Sequence, residues 1–368
     1  MTEYRALLGE LAVPRLVGSA GHARIRDTLK RELARRGFAV TEHRFTASPV
    51  SLAVVGCGGL LLAGLGLFGV IESASGNPLL VAQAVVIGTG ALLLFAGTPL
   101  RRVLVAHMGT RGTEALTLVA TRPSSPIAVW LVAHSDAKGQ PISMATRLYA
   151  VALVAVAVVA LGALTVGHFA GVPAGPRAWI AASALALLGG GLLAMNAWIR
   201  DSPGAVDNAT GVLAVLATVD RLPRDAPVGV ILPDAEEFGL VGATALVKAQ
   251  PALLRDTAVI NFDGIDDRGR TIAFVHRPGS VVDTVVAALG ARRFRALPVF
   301  VDGLILARVA RECVTILKGN WETARIVHTK RDTAERLTLE GVTKVAERVA
   351  GVVARARQRE TGNGKRDT

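Results

Sequence analysis

A chain of 368 residues has room for one large domain or two ordinary ones, and at 51% hydrophobic with only 4% aromatic residues it is too apolar for an ordinary soluble enzyme. Its formal charge of +12 suits a nucleic acid or the anionic cytoplasmic face of a lipid bilayer; no zinc-finger, RNP or helix-turn-helix pattern is present, so nucleic acid is set aside as a partner. Two cysteines, Cys57 in an apolar block and Cys313 far along the chain, make neither a disulfide scaffold nor a thiolate metal site.

The first fifty residues are charged and open on an amphipathic helix at Met1-Thr2-Glu3-Tyr4-Arg5, so no secretory signal peptide is expected. Ile25 to Arg36 reads as a helix, Gly37 as its stop and Phe38-Ala39-Val40 as a strand. Two apolar blocks follow, Ser51–Ile71 and Leu79–Leu100, each near the ~20 residues a bilayer crossing needs. The turn-rich link at 72–78 makes them a hairpin. After the strands Ala115–Ala120 and Ile127–Ala133 comes a second hairpin, Leu148–Ala170 and Ala178–Ile199, with Trp179 and Trp198 at the ends of its last span, where aromatic belts lie. Arg44, Arg101, Arg102, Arg147 and Arg200 flank the spans on the large-segment side, whereas the links carry only Arg177. By the positive-inside rule the large segments face the cytoplasm, which predicts a multi-pass integral membrane protein.

With the hairpins at 51–100 and 148–199 set apart, residues 1–50, 101–147 and 200–368 form one domain of about 260 residues. Its later strands are expected at Val228–Leu232, Ala258–Phe262, Ile272–Val275, Val299–Val301 and Val314–Leu317, alternating with helices such as Gly211–Leu222 and Val281–Leu289. That order predicts an α/β fold with a doubly wound, mostly parallel sheet. Asp332 and Glu335 read as a capping box ahead of a final helix reaching Arg357, and 360–368 as a disordered tail. The basic run Arg292-Arg293-Phe294-Arg295 reads as solvated or lipid-facing charge.

Five places offer metal-type ligands at strand ends or in turns. They are His134-Ser135-Asp136 after an apolar strand, Asp207 in a small-residue turn, Glu236-Glu237 after the strand 228–232, Asp263 after the strand 258–262, and His328 before the last helix. Each alone has a plain structural explanation: a satisfied histidine, a turn former, a solvated pair of acids. Together they differ, because the carboxyl ends of strands in a doubly wound sheet share one crevice. Acids and imidazoles gathered there need cations among them, and mixed nitrogen and oxygen donors favour zinc. Five ligands exceed what one catalytic zinc takes, and one acid bridging two ions resolves the count. His22, His43, His107 and His276 have no such company and read as structural.

The ordered set AHSD, GAVDNATGV, DAEEFGLVGA, NFDG and HTKRDT closely resembles metallopeptidase family twenty-eight, in clan MH, which includes co-catalytic zinc aminopeptidases and glutamate carboxypeptidase. The resemblance implies a zinc aminopeptidase-like fold holding two zinc ions. His134 and Asp263 would ligate one ion, Glu237 and His328 the other, and Asp207 would bridge them. Asp136 would orient His134, Glu236 would be the general base, and the Asp207–Asn208 peptide bond would be strained, with cis as one of its two options; Asp302 would either line the site or form a simple strand-end turn. This chain departs from the family in the long separation of His134 and Asp207, which the second hairpin fills. The expected protein is therefore a membrane-anchored zinc aminopeptidase that hydrolyses N-terminal peptide bonds through a water activated by two zincs. A carboxypeptidase or glutaminyl cyclase of the same fold, or a catalytically silent membrane scaffold, is the alternative; no oligomeric state is implied.

Overall fold

The computed structural model describes residues 2–48, 50–75, 112–122, 126–172 and 174–363. In chain order the elements are α1 (Thr2–Leu11), α2 (Ala20–Arg35), β1 (Ala39–Ala47), α3 (Val50–Ser75), β2 (Thr113–Thr121), β3 (Val129–Val132), α4 (Met144–Phe169) and α5 (Pro176–Ala194). They continue with α6 (Gly211–Val219), β4 (Val228–Leu232), α7 (Val241–Ala249), β5 (Ala258–Ile265), β6 (Arg270–Arg277), α8 (Ser280–Leu289) and β7 (Arg292–Phe294). The last are α9 (Gly303–Leu306), β8 (Glu312–Gly319), α10 (Trp321–Ile326) and α11 (Glu340–Asn363). The chain divides into two units. One comprises Met1–Ala47, Thr113–Gly139 and Asp201–Thr368; the other comprises Ser48–Gly112 and Gln140–Arg200.

The first unit is built on one sheet of eight strands in the order β1-β2-β4-β3-β5-β8-β6-β7. The four central strands β4, β3, β5 and β8 run parallel, while β1, β2 and β6 join antiparallel to their inner neighbours. The expectation of a mostly parallel sheet therefore holds for the centre, and the sheet as a whole is mixed. β3 and β4 are buried at every position, as strands covered on both faces must be. Trp130 of β3 packs with Ile231 of β4, Leu246 of α7, Leu306 of α9 and Cys313 of β8, and its indole N–H donates to the Leu253 carbonyl at 2.9 Å. Each large apolar side chain buried in this way contributes about 1.5–3 kcal/mol. α6 is buried along its whole length against β3, β4 and β5, with α11 packed on it.

Several local expectations are corrected. Val299–Val301 is not a strand, because its backbone has no ladder partner among the described residues; Arg292–Phe294 instead pairs with β6 as the edge strand β7, its arginines exposed and Arg293 bonded to Asp283. Asp332 and Glu335 do not cap the last helix, which begins only at Glu340. Its first turn is capped from a distance by Asp267, whose carboxylate accepts from the Leu339 N–H at 3.2 Å and the Gly341 N–H at 2.9 Å. α11 continues through Asn363, so 360–363 of the expected disordered tail are helical and the remainder lies outside the described residues.

In the second unit α3, α4 and α5 are long and apolar enough to cross a membrane. The other expected span, 79–100, lies outside the described residues. α3 and α5 meet through glycines. A Cβ on Gly59 would lie 2.4 Å from the Ala194 nitrogen, and one on Gly190 would lie 2.5 Å from the Ala63 nitrogen, so only glycine admits this backbone approach. α4 packs on α5 through Ala157 and Leu161 against Trp179, Ala182 and Ala186. Of the two tryptophans expected at the ends of the last span, Trp179 is thereby buried between helices, whereas Trp198 is exposed. Leu60, Leu67 and Phe68 of α3 and Val156, Val159 and Val166 of α4 are exposed, an apolar surface that hydrocarbon would cover at no cost.

Candidate metal centre

The five expected ligands come from the carboxyl ends of the central strands and from two turns. β3 runs through Ala133 into His134, whose Nδ1 lies 3.2 Å from the main-chain oxygen of Asp136. A proton on Nδ1 donated there leaves Nε2 with its lone pair facing the cluster. The Asp136 carboxylate lies 3.5 Å from the same ring nitrogen, but its firm bonds are to the main-chain N–H groups of Glu236 (3.1 Å) and Glu237 (3.2 Å). It thus ties the loop after β3 to the loop after β4 as well as facing His134.

The turn Ala205–Thr210 carries Asp207, and the Asp207–Asn208 peptide bond is cis. Asp332 holds this turn: its carboxylate accepts from the Val206 N–H at 2.8 Å and the Asp207 N–H at 3.1 Å. Asn208 then stitches the turn to β5, donating to the Phe262 carbonyl at 2.9 Å and accepting from the Gly264 N–H at 3.1 Å, on either side of Asp263. After β4, Asp234 is fully buried and bonds to His22 Nε2 at 2.7 Å and to the Leu116 N–H at 3.1 Å, which anchors the base of the Glu236-Glu237 loop. Lys138 closes the other side, with its Nζ 2.9 Å from the Glu237 carboxylate and 2.8 Å from the Glu237 carbonyl.

The ligand atoms converge in two groups, His134 with Asp207 and Asp263, and Asp207 with Glu237 and His328, the atoms of each group lying within 4.8 Å of one another. His134 Nε2 is 3.2 Å from Asp207 Oδ1 and 3.7 Å from Asp263 Oδ1. His328 Nε2 is 3.0 Å from Asp207 Oδ2 and 3.3 Å from Glu237 Oε1. A ring nitrogen carries at most one hydrogen, yet each faces two carboxylates; a divalent cation satisfies all three atoms together. The donor set therefore fits zinc, and each group can hold an ion.

Electrostatics agree with that fit. Burial would raise the Asp207 carboxyl, but bonds to His134 and His328 hold it well below the usual range. Burial likewise opposes ionisation of Glu237, yet His328 and Lys138 pull it to about 2. Burial would lower His134, but the negative charge of Glu236 and contacts to Asp136, Asp207 and Asp263 raise it well above an ordinary imidazole. Glu236 goes the other way: burial raises it strongly, and Glu237, Asp263 and Asp302 add to this against the opposing His134. An excess of buried acid thus recruits protons onto the imidazoles, which is where a cation would compete.

All seven expected site residues are brought together here. Sequence reasoning misread Asp332, whose carboxylate supports the Asp207 turn, and passed over Arg15, Lys138 and the His22–Asp234 pair. Arg15 stands alone among apolar neighbours from Leu11 to Val17, a signal that it is buried. Asp302, for which lining the site and a simple strand-end turn were both open, is fully buried, neither carboxylate oxygen has a hydrogen-bond partner among the described residues, and burial first, then Asp136 and Asp263, push it up to about 8.

The fold is similar to that of the zinc aminopeptidase BSAP from Bacillus subtilis, at 10% identity and a TM-score of 0.54, covering 96% of this chain and 95% of that one. It is similar also to the glutaminyl cyclase of Fimbriiglobus ruber, at 12% identity and a TM-score of 0.52, covering 96% and 93%. A third likeness is to the glutaminyl cyclase of Bacteroides thetaiotaomicron bound to N-acetylhistamine, at 14% identity and a TM-score of 0.52, covering 95% and 96%. At such identities the likeness is one of fold. No curated protein matches the sequence. The model of Peptidase family M28 matches residues 117–353, a stretch that starts within β2, ends within α11 and contains every one of the convergent ligands. The chain belongs to peptidase family M28.

Proposed function

We propose that this chain is a membrane-anchored, zinc-dependent aminopeptidase in which two metal ions share Asp207. The observation that carries the reading is the division of one carboxylate between two imidazoles, Oδ1 toward His134 and Oδ2 toward His328. Asp263 completes the first ligand set and Glu237 the second. When bound, a zinc pair supplies a water that ionises near neutral pH and a Lewis acid for the scissile carbonyl. Glu236 belongs to neither ligand set. Its buried carboxylate takes the proton of the attacking water and passes it to the leaving amine, a role suited to a group whose affinity for a proton burial raises well above that of an ordinary carboxylate. Asp136 and Asp332 hold the main chain on which Glu236, Glu237 and Asp207 ride.

A second reading, cyclisation of N-terminal glutamine, is supported by the likeness in fold to two glutaminyl cyclases. The family match to a peptidase favours hydrolysis. Purified in detergent, the chain should release amino acids from aminoacyl amides, lose that activity on chelation and regain it with zinc. Conversion of N-terminal glutaminyl peptides with no amide hydrolysis would establish the second reading instead, and release of C-terminal residues from dipeptides blocked at the amine would establish a carboxypeptidase.

For the anchor we propose four spans with 1–50, 101–147 and 200–368 together as one cytoplasmic peptidase domain. The exposed apolar faces of α3 and α4 and the arginines flanking the spans support it. In right-side-out vesicles both chain ends should resist added protease, and cleavage of a C-terminal tag there would reverse the topology.

A further inference from the structure

Arg15 lies between α1 and α2, outside the stretch that matches the family, and is 1% exposed. No carboxylate among the described residues is within ion-pair distance of it. Its guanidinium is instead spent on main-chain oxygens: Nε donates to Ser135 at 2.9 Å, Nη2 to Gly204 at 2.9 Å, and Nη1 to Pro203 at 2.6 Å and Leu11 at 2.9 Å. Ser135 sits between His134 and Asp136, and Pro203-Gly204 lead directly into the turn that carries Asp207. The fork thus joins two segments that the sequence separates by an entire hairpin, at the point where His134 and Asp207 approach to 3.2 Å.

The two segments are also closely packed at Gly204. Gly204 has φ +60°, and a Cβ there would lie 2.6 Å from Ala137 Cβ and 3.0 Å from Arg15 Nη1. A planar guanidinium can address all four carbonyls in fixed directions, whereas a lysine ammonium is a single point of charge on a flexible stem.

We infer that Arg15 is a positioning residue for one of the two metal ions, the one held by His134, Asp207 and Asp263, because it sets the distance between the loops carrying His134 and Asp207. The inference rests on the two-metal reading above. Asp207 serves both ions, but its turn is also held by Asp332, so loss of the fork displaces chiefly the His134 loop; the second ion's other ligands, Glu237 and His328, lie on segments that Arg15 does not touch.

The test is zinc titration of the metal-stripped full chain in detergent, by chelator competition, at a temperature where circular dichroism shows each protein folded. The native chain is expected to take two ions. Arg15→Lys and Arg15→Met are both expected to bind one ion at least about tenfold more weakly, as loss of an outer support typically does, with the other ion within about threefold of native. Recovery of native affinity in Arg15→Lys would overturn the inference, since charge alone would then suffice. Equal weakening of both ions, the mark of a general structural role, would overturn it as well. If neither variant folds, Gly204→Ala disturbs the same junction from the other side and should weaken the same single ion; unchanged affinity there also overturns the inference. A native chain that binds no zinc defeats the two-metal reading and this inference together, whereas two ions in native and variant alike defeat only this inference.

Discussion

Replacing Glu236 by Ala is expected to lower turnover of an aminoacyl amide by a factor of about 10² to 10⁴ while zinc content stays at the native value. Glu236 is in neither ligand group, so its loss removes no donor from an ion. Its main-chain N–H is held by Asp136, and this bond survives truncation of the side chain. What disappears is a buried carboxyl outside both ligand groups whose affinity for a proton is raised well above that of an ordinary carboxylate, by burial first and also by Glu237, Asp263 and Asp302, against the opposing His134. Glu236→Gln keeps the volume and loses the basicity, so it should be as inactive as Glu236→Ala. Steady-state kinetics with elemental analysis on the same preparations decide the matter. Near-native turnover in either variant would remove Glu236 from the chemistry, and loss of zinc with turnover would make it a ligand.

Asp207→Asn should have the widest effect of any single ligand change, loss of both ions. Asp207 belongs to both groups, so its carboxylate is the shared donor, and replacing it leaves two protein ligands at each site. Affinity for each ion should fall by at least about 100-fold, beyond what outer supports contribute. His134→Ala, by contrast, should empty only one position. Retention of two tightly held zincs in Asp207→Asn would show that the two groups do not share a bridge. The same titration has a defined pH dependence. His134 and His328 hold protons above the ordinary imidazole range without metal, burial being outweighed by Glu236 for the first and by Glu237 and Asp207 for the second. Zinc must displace those protons, so affinity in the native chain should be weaker at pH 6 than at pH 8. An affinity flat across that interval would exclude the histidines as ligands.

The parts of this site that were legible in the sequence are those encoded locally. β3 and β4 read as short, continuously apolar runs because strands covered on both faces need no alternation, and each ends in the residues that enter the crevice. The turn at Asp207 read as a small-residue turn because the chain must pack tightly there. The long apolar helices α3, α4 and α5 were legible for the same reason, since length and lack of charge are properties of a single segment.

What the residues around the site do was not legible, and Asp332 is the clearest case. Its spacing to Glu335 matches a capping box, yet its carboxylate serves the Val206 and Asp207 N–H groups 126 and 125 residues away, while Asp267 caps the helix that Asp332 was expected to start. A free carboxylate binds whichever unpaired N–H groups the fold brings to it, and local spacing carries no information about those. Trp179 and Arg292–Phe294 follow the same rule. The first is buried because α4 happens to cover it, and the second becomes a strand because the β6 edge is open to it.

By itself, the sequence determined the kinds of side chain available and which segments end in them, because periodicity and turn chemistry act over a few residues. Tertiary structure alone decided the strand order, the support of the Asp207 turn by Asp332 and the partners of Arg15. Those depend on hydrogen bonds between segments far apart in the chain, whose geometry exists only once the sheet has assembled.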